Sequence, residues 1–182
     1  MKFKMKYQIK YLYFSVIFFC FTSMLLSQQS QVGEKAYPLS SKNLEGTSWY
    51  HLKYAISNDK PIFINFFADW CSPCIEELPL LSDFHSKNKN DIEMIIINVN
   101  NLSKKNSSSV VKQDPVLVKK ILDNNNIIFT SLFDKHALIA KKYGVTTLPH
   151  SVLIKDGIIV WEERKKLTNS SLDSLKRFVD ND

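Results

Sequence analysis

Hydrophobic positions along the chain fall into two kinds of block, continuous apolar runs and apolar residues at helical spacing. Residues 61–67 and 92–99 are apolar without polar alternation, as strands buried on both faces are. Between them, Ile75, Leu78 and Leu81 space a helix over 72–86 that Pro79 should kink. Strand, helix, strand in this order predicts a parallel pair with its crossover on one face. Upstream, Trp49, Leu52 and Ile56 predict a helix over 47–57.

Downstream, the polar stretch 100–114 reads as a surface loop. A helix over 115–125 follows, with Pro115 at its first turn and Val118, Ile121 and Leu122 on one side, and then a short strand over 127–130. Asp134 should cap a helix running to Tyr143, which Gly144 ends in the left-handed conformation. Asp156-Gly157 between apolar runs at 151–155 and 158–162 is a hairpin signal. Asn169 is expected to cap a last helix whose Leu172, Leu175, Phe178 and Val179 form an apolar stripe. The sum is an α/β fold, a mixed central sheet with helices on both faces, and no internal repeat.

The first 27 residues change the reading of charge. Lys2, Lys4, Lys6 and Lys10 precede an apolar stretch, 11–26, that is shorter than the roughly 20 residues a spanning helix needs. This pattern predicts a secretory signal over 1–27, with a retained membrane anchor as the alternative. An extension over 28–44 and a domain over 45–182 would follow. The chain carries 24 basic and 18 acidic residues, a net charge of +6, and the four lysines of this segment account for all but +2 of it. That balance gives no reason to propose a nucleic-acid partner. Cys20 lies within the apolar stretch behind the bulky Phe18 and Phe19, so it reads as an inert apolar residue rather than a lipidation site.

Two cysteines remain, in Trp70-Cys71-Ser72-Pro73-Cys74. The loop they would close is too short to stabilise a fold much by restricting its unfolded chain, so their pairing points to chemistry. At a strand-to-helix junction, Cys71 would sit at the positive end of the helix dipole with its thiolate stabilised, and Cys74 one turn in. Cys71 is then the nucleophile and Cys74 the resolving thiol. Zinc would need four ligands, and His51, His85, His136 and His150 are scattered singly. Copper(I) held by two thiolates and the His150 imidazole stays open as an alternative.

Residues 66–74, together with Gly144-Val145-Thr146-Thr147-Leu148-Pro149 and the strand-turn-strand after it, resemble the thioredoxin superfamily over roughly residues 45 to 180. Glu77-Leu78-Pro79 and the segment 115–130 resemble the TlpA/ResA-like extracytoplasmic oxidoreductases, whose thioredoxin fold carries an inserted helix and short strand there. The resemblance implies that Pro149 is a cis-proline beside the disulfide, and that Trp70, Leu148, Pro149 and His150 border the substrate groove. Asn65 stands where thioredoxin has a buried acid, which leaves Glu77 as the proton-exchanging carboxylate.

It further implies a monomeric thiol:disulfide oxidoreductase with no cofactor beyond its redox-active disulfide. Such an enzyme would reduce cysteine-containing exported proteins, apocytochrome c among them, and be recharged by a membrane electron donor. A dithiol oxidase or isomerase is the alternative direction of the same chemistry.

Overall fold

A computed structural model describes residues 30–102 and 114–180. The expected signal segment and most of the 100–114 loop lie outside the described residues. The central sheet has the strand order β5-β4-β3-β6-β7. Its strands are β3 (Ile62–Phe67), β4 (Glu93–Asn98), β5 (Thr130–Phe133), β6 (His150–Lys155) and β7 (Ile158–Glu163). β3, β4 and β5 are parallel neighbours, whereas β6 runs antiparallel to β3 and β7 antiparallel to β6. β1 (Ser40–Lys42) and β2 (Trp49–His51) form a separate two-stranded ribbon.

Alternation along the strands builds two cores. Phe63 and Phe67 of β3 and Met94 and Ile96 of β4 face three helices: α2 (Ser72–Asn88), α3 (Pro115–Asn124) and α5 (Asn169–Asp180). Ile62, Ile64 and Phe66 face the other way, onto α1 (Leu52–Ile56) and α4 (Leu138–Lys142). Every residue of β3 is buried, which is why its sequence shows no polar alternation.

Several boundaries differ from expectation, each for a local reason. Trp49 is in a strand rather than a helix: it pairs with Lys42 and is largely exposed, so the helix shrinks to α1. The strand expected at 127–130 begins only at Thr130, because Asn126 turns the chain through a positive φ of 55° and Ile128 points to solvent. Asp134 does cap α4, its carboxylate accepting from the Leu138 and Ala140 N–H groups. The helix nonetheless starts late, since Ala137 adopts the left-handed conformation with φ 53°. The cap before α5 is Thr168, whose Oγ1 accepts from the Ser171 N–H, and Asn169 is the first helical residue. α2 runs uninterrupted through Pro79.

Of the extension expected over 28–44, residues 31–44 belong to the same compact unit as residues 45–182. Leu39 and Leu44 are core residues, and the Gly33 N–H donates to the Ile159 carbonyl at the edge of β7. The expected hairpin is present, with positive φ at both Asp156 and Gly157 as a type I′ turn requires.

Candidate active site

β3 ends at Phe67 and the chain turns directly into α2, with Cys71 as the residue before the first helical turn. Its carbonyl already accepts from the Cys74 and Ile75 N–H groups. Pro73 lies in that first turn, where its missing N–H removes no intrahelical bond. Cys71 and Cys74 are joined in a disulfide with their Cα atoms 5.3 Å apart. Cys71 is 5% exposed and Cys74 not at all, so of the two only Cys71 keeps any contact with solvent.

Trp70 beside them is half exposed, and its Nε1 donates to the Asn100 carbonyl at 3.1 Å. Asn100 is itself buried. Its Oδ1 accepts from the Asp69 N–H and from Asn98 Nδ2. These two asparagines support the turn carrying the cysteines, yet in the sequence they read only as the end of a strand and the start of a loop. An asparagine closing an otherwise apolar run was the available signal.

Glu77 lies one turn beyond Cys74 on α2 and is fully buried. Its Oε1 accepts from Asn65 Nδ2 at 2.8 Å, and its Oε2 from the Leu167 N–H at 2.7 Å. Burial pushes its pKa up from 4.5 to about 7, and these two hydrogen bonds together with the Lys166 charge offset only part of the rise. Glu76, by contrast, is solvated and paired with Lys166 at 2.6 Å. The carboxylate one turn from Cys74 is thus enclosed, with burial as the cause of its raised pKa, whereas Glu76 lies in solvent.

The Leu148–Pro149 bond is cis. Pro149 is buried, and Leu148 packs against the core cluster that contains both cysteines. His150 departs from expectation. It is 1% exposed and opens β6 on the sheet face away from the disulfide, edge-on to Phe66 with ring centroids 6.0 Å apart. Its Nε2 lies 3.1 Å from Glu162 Oε1. Among the described residues the side chain is therefore enclosed between Phe66 and Glu162, on the opposite sheet face from the cysteines, rather than open to a groove or placed with them as a third copper ligand. Strand alternation is the cause, since only every second residue of β6 faces α2.

A model of the AhpC/TSA family matches residues 32–162. Thiol-disulfide oxidoreductase ResA of Bacillus thuringiensis is 27% identical over 148 residues, 80% of this chain and 77% of that protein. The thioredoxin domain of a thiol-disulfide oxidoreductase from Bacteroides vulgatus superimposes with a TM-score of 0.67 at 17% identity, over 84% of this chain and 100% of that one. A secreted Mycobacterium tuberculosis disulfide oxidoreductase does so with a TM-score of 0.61 at 22% identity, over 78% and 94%. The matched segment contains both cysteines, Glu77 and the cis-proline, and the chain belongs to the AhpC/TSA family, as a thiol-disulfide oxidoreductase of thioredoxin fold.

Proposed function

We propose that the protein is a dithiol reductant for cysteine pairs in exported proteins. In the reduced enzyme the Cys71 thiolate, stabilised by the α2 N-terminus, attacks one sulfur of a client disulfide and releases the other as a thiolate. Cys74 loses its proton, attacks Cys71 in the mixed disulfide, and frees the second client thiol. Two electrons pass to the client and the enzyme is left with the Cys71–Cys74 bond. Glu77 takes the Cys74 proton and returns it when the pair is reduced again. The observation carrying this reading is the exposed-side Cys71 and enclosed Cys74 above a carboxylate with a pKa of about 7.

The cycle needs no cofactor beyond the cysteine pair, and the enzyme acts as a monomer. Trp70, Leu148 and Pro149 border the client groove. Export rests on the lysine-rich apolar start of the chain, and among the described residues no helix is long and apolar enough to cross a membrane. A membrane dithiol carrier recharges the enzyme, and proteins such as apocytochrome c are its clients. The test is the reduction potential of the pair. A value near the thioredoxin level of about −270 mV supports a reductant, and one near −120 mV makes it an oxidant instead. Copper(I) retained by the reduced protein against a competing chelator would favour the metallochaperone reading.

A further inference from the structure

A groove of about 800 Å³ opens between the β1–β2 ribbon and α4, and the redox chemistry does not use it. Its floor is apolar, formed by Leu39 and Ile139 with the exposed Leu138 beside them. Its rim is basic: Lys42, Lys135, Lys141 and Lys142 are all exposed there. Among the described residues the sole acid in the lining is Asp134, which is buried and engaged in capping α4. Two ammonium groups rest over aromatic rings, Lys42 over Trp49 at 5.7 Å and Lys142 over Tyr37 at 5.3 Å. Such stacking holds the lysine stems while leaving N–H donors for an anion.

The groove is also at the working end of the sheet. β3, β4 and β5 are parallel neighbours, so the C-terminal ends of β3 and β5 lie about 10 Å apart, two strand spacings. Cys71 follows the first and Lys135 the second. A hydrogen-bonded segment joins them: the Asn100 carbonyl accepts from Trp70, and Asn101 Nδ2 donates to the Lys135 carbonyl at 2.6 Å.

We infer that this groove docks an acidic segment, carrying apolar side chains, of the protein whose cysteines are exchanged at Cys71. The identity of that protein as a redox partner rests on the function proposed above. A bilayer surface fits less well, because a planar surface cannot reach the sunken Leu39 and Ile139. A peptide chain can lay apolar side chains on the floor and carboxylates along the rim.

The test separates docking from exchange. Binding of two cysteine-free peptides to the full chain is read by fluorescence anisotropy, the peptides differing only in a run of glutamates against glutamines beside leucines. The glutamate peptide should bind about tenfold more tightly at low salt, and the preference should vanish at high salt. It should also be lost in the Lys42→Glu/Lys141→Glu/Lys142→Glu variant, and in the milder Lys→Gln set. A control, Lys87→Glu/Lys89→Glu/Lys120→Glu, makes the same charge change elsewhere and should keep it. Equal binding of the two peptides overturns the inference, as does a preference that survives in the groove variants or is lost equally in the control. Sedimentation with phosphatidylglycerol vesicles without any peptide preference would assign the groove to a membrane and overturn it as well. If the unaltered enzyme fails to reduce a small disulfide, that result counts against the redox direction alone.

Discussion

Asn65 on β3 donates a 2.8 Å hydrogen bond to the Glu77 carboxylate on α2, and the same Nδ2 reaches Ser151 Oγ at 3.0 Å. Asn65 Oδ1 has no partner among the described residues. A half-turn of the amide exchanges oxygen for nitrogen, so that the oxygen meets a protonated Glu77 or the Ser151 hydroxyl. The pocket thus accommodates Glu77 in either charge state, as a proton-exchanging group requires. Glu77→Gln should slow disulfide exchange about tenfold or more and remove the inflection near pH 7 from its pH-rate profile. Glu76→Gln should leave both unchanged, and an unaltered profile in both variants would mean that water carries the proton.

Replacing the amide by an acid tests the same pocket from the other side. Asn65→Asp places a second carboxyl within hydrogen-bonding distance of Glu77, and two acids in one buried site do not both ionise near neutrality. The inflection should move to higher pH in the pH-rate profile, rather than disappear. A profile superimposable on that of the unaltered enzyme would show that Glu77 is not the titrating group.

Glu77 also has a consequence for stability. Its folded pKa of about 7 lies above the ordinary 4.5, so between these values the folded chain holds a proton that the unfolded chain has released. Stability must fall as pH rises through that window, by about 3 kcal/mol at most. Urea midpoints measured from pH 4.5 to 8 should show this decline in the unaltered protein and a flatter line in Glu77→Gln.

The two cysteines should separate cleanly in trapping experiments. Cys74→Ala leaves the exposed-side nucleophile without its resolving partner, so mixed disulfides with clients should accumulate on non-reducing gels. Cys71→Ala should trap almost nothing, because the remaining thiol is enclosed. Equal trapping by the two would reverse the assignment.

The parts legible in the sequence are those where local pattern and tertiary role coincide. β3, α2 and β4 announce themselves because strands buried on both faces leave no polar alternation, and the cysteines sit between them. β1 left no such trace: of Ser40, Ser41 and Lys42 only Ser41 is buried. The delayed start of α4 depends on a left-handed alanine, a conformation no alanine advertises. The setting of His150 is not legible locally, because it comes from Phe66 and from Glu162, which arrives only after the hairpin folds back.

Thr168 offers a test of local structure alone. Its hydroxyl accepts from the Ser171 N–H, and Ser171 Oγ lies 3.4 Å from the Thr168 N–H, a reciprocal cap on α5. Thr168→Ala should cost about 1 kcal/mol, whereas Asn169→Ala should cost little. The ordering of their denaturation midpoints checks which residue is the cap.

The charge state of His150 is set by the groups packed around it. Its Nε2 lies 3.1 Å from Glu162 Oε1, a geometry that invites an imidazolium–carboxylate pair. The same oxygen already receives Arg164 Nε and Nη2, each at 2.9 Å, and Glu162 Oε2 accepts from the Gln31 N–H. Burial among Phe66 and its neighbours disfavours the cation more than Glu162 favours it, and the Arg164 guanidinium adds to that, so the histidine pKa is held below its ordinary 6.5. A base with a depressed folded pKa is protonated in the unfolded chain before it is protonated in the folded one. Stability must therefore drop as pH falls below about 6.5, and continue to drop until the folded histidine takes up its proton. His150→Gln should reduce this acid-side loss while costing some stability at pH 7.5, both read from urea midpoints on a Glu77→Gln background, which removes the opposing titration; His85, also held below 6.5 by burial, is common to parent and variant and cancels in their difference. A paired imidazolium would give the opposite sign, with stability fading as pH rises through neutrality, and that slope in the parent would refute the neutral histidine.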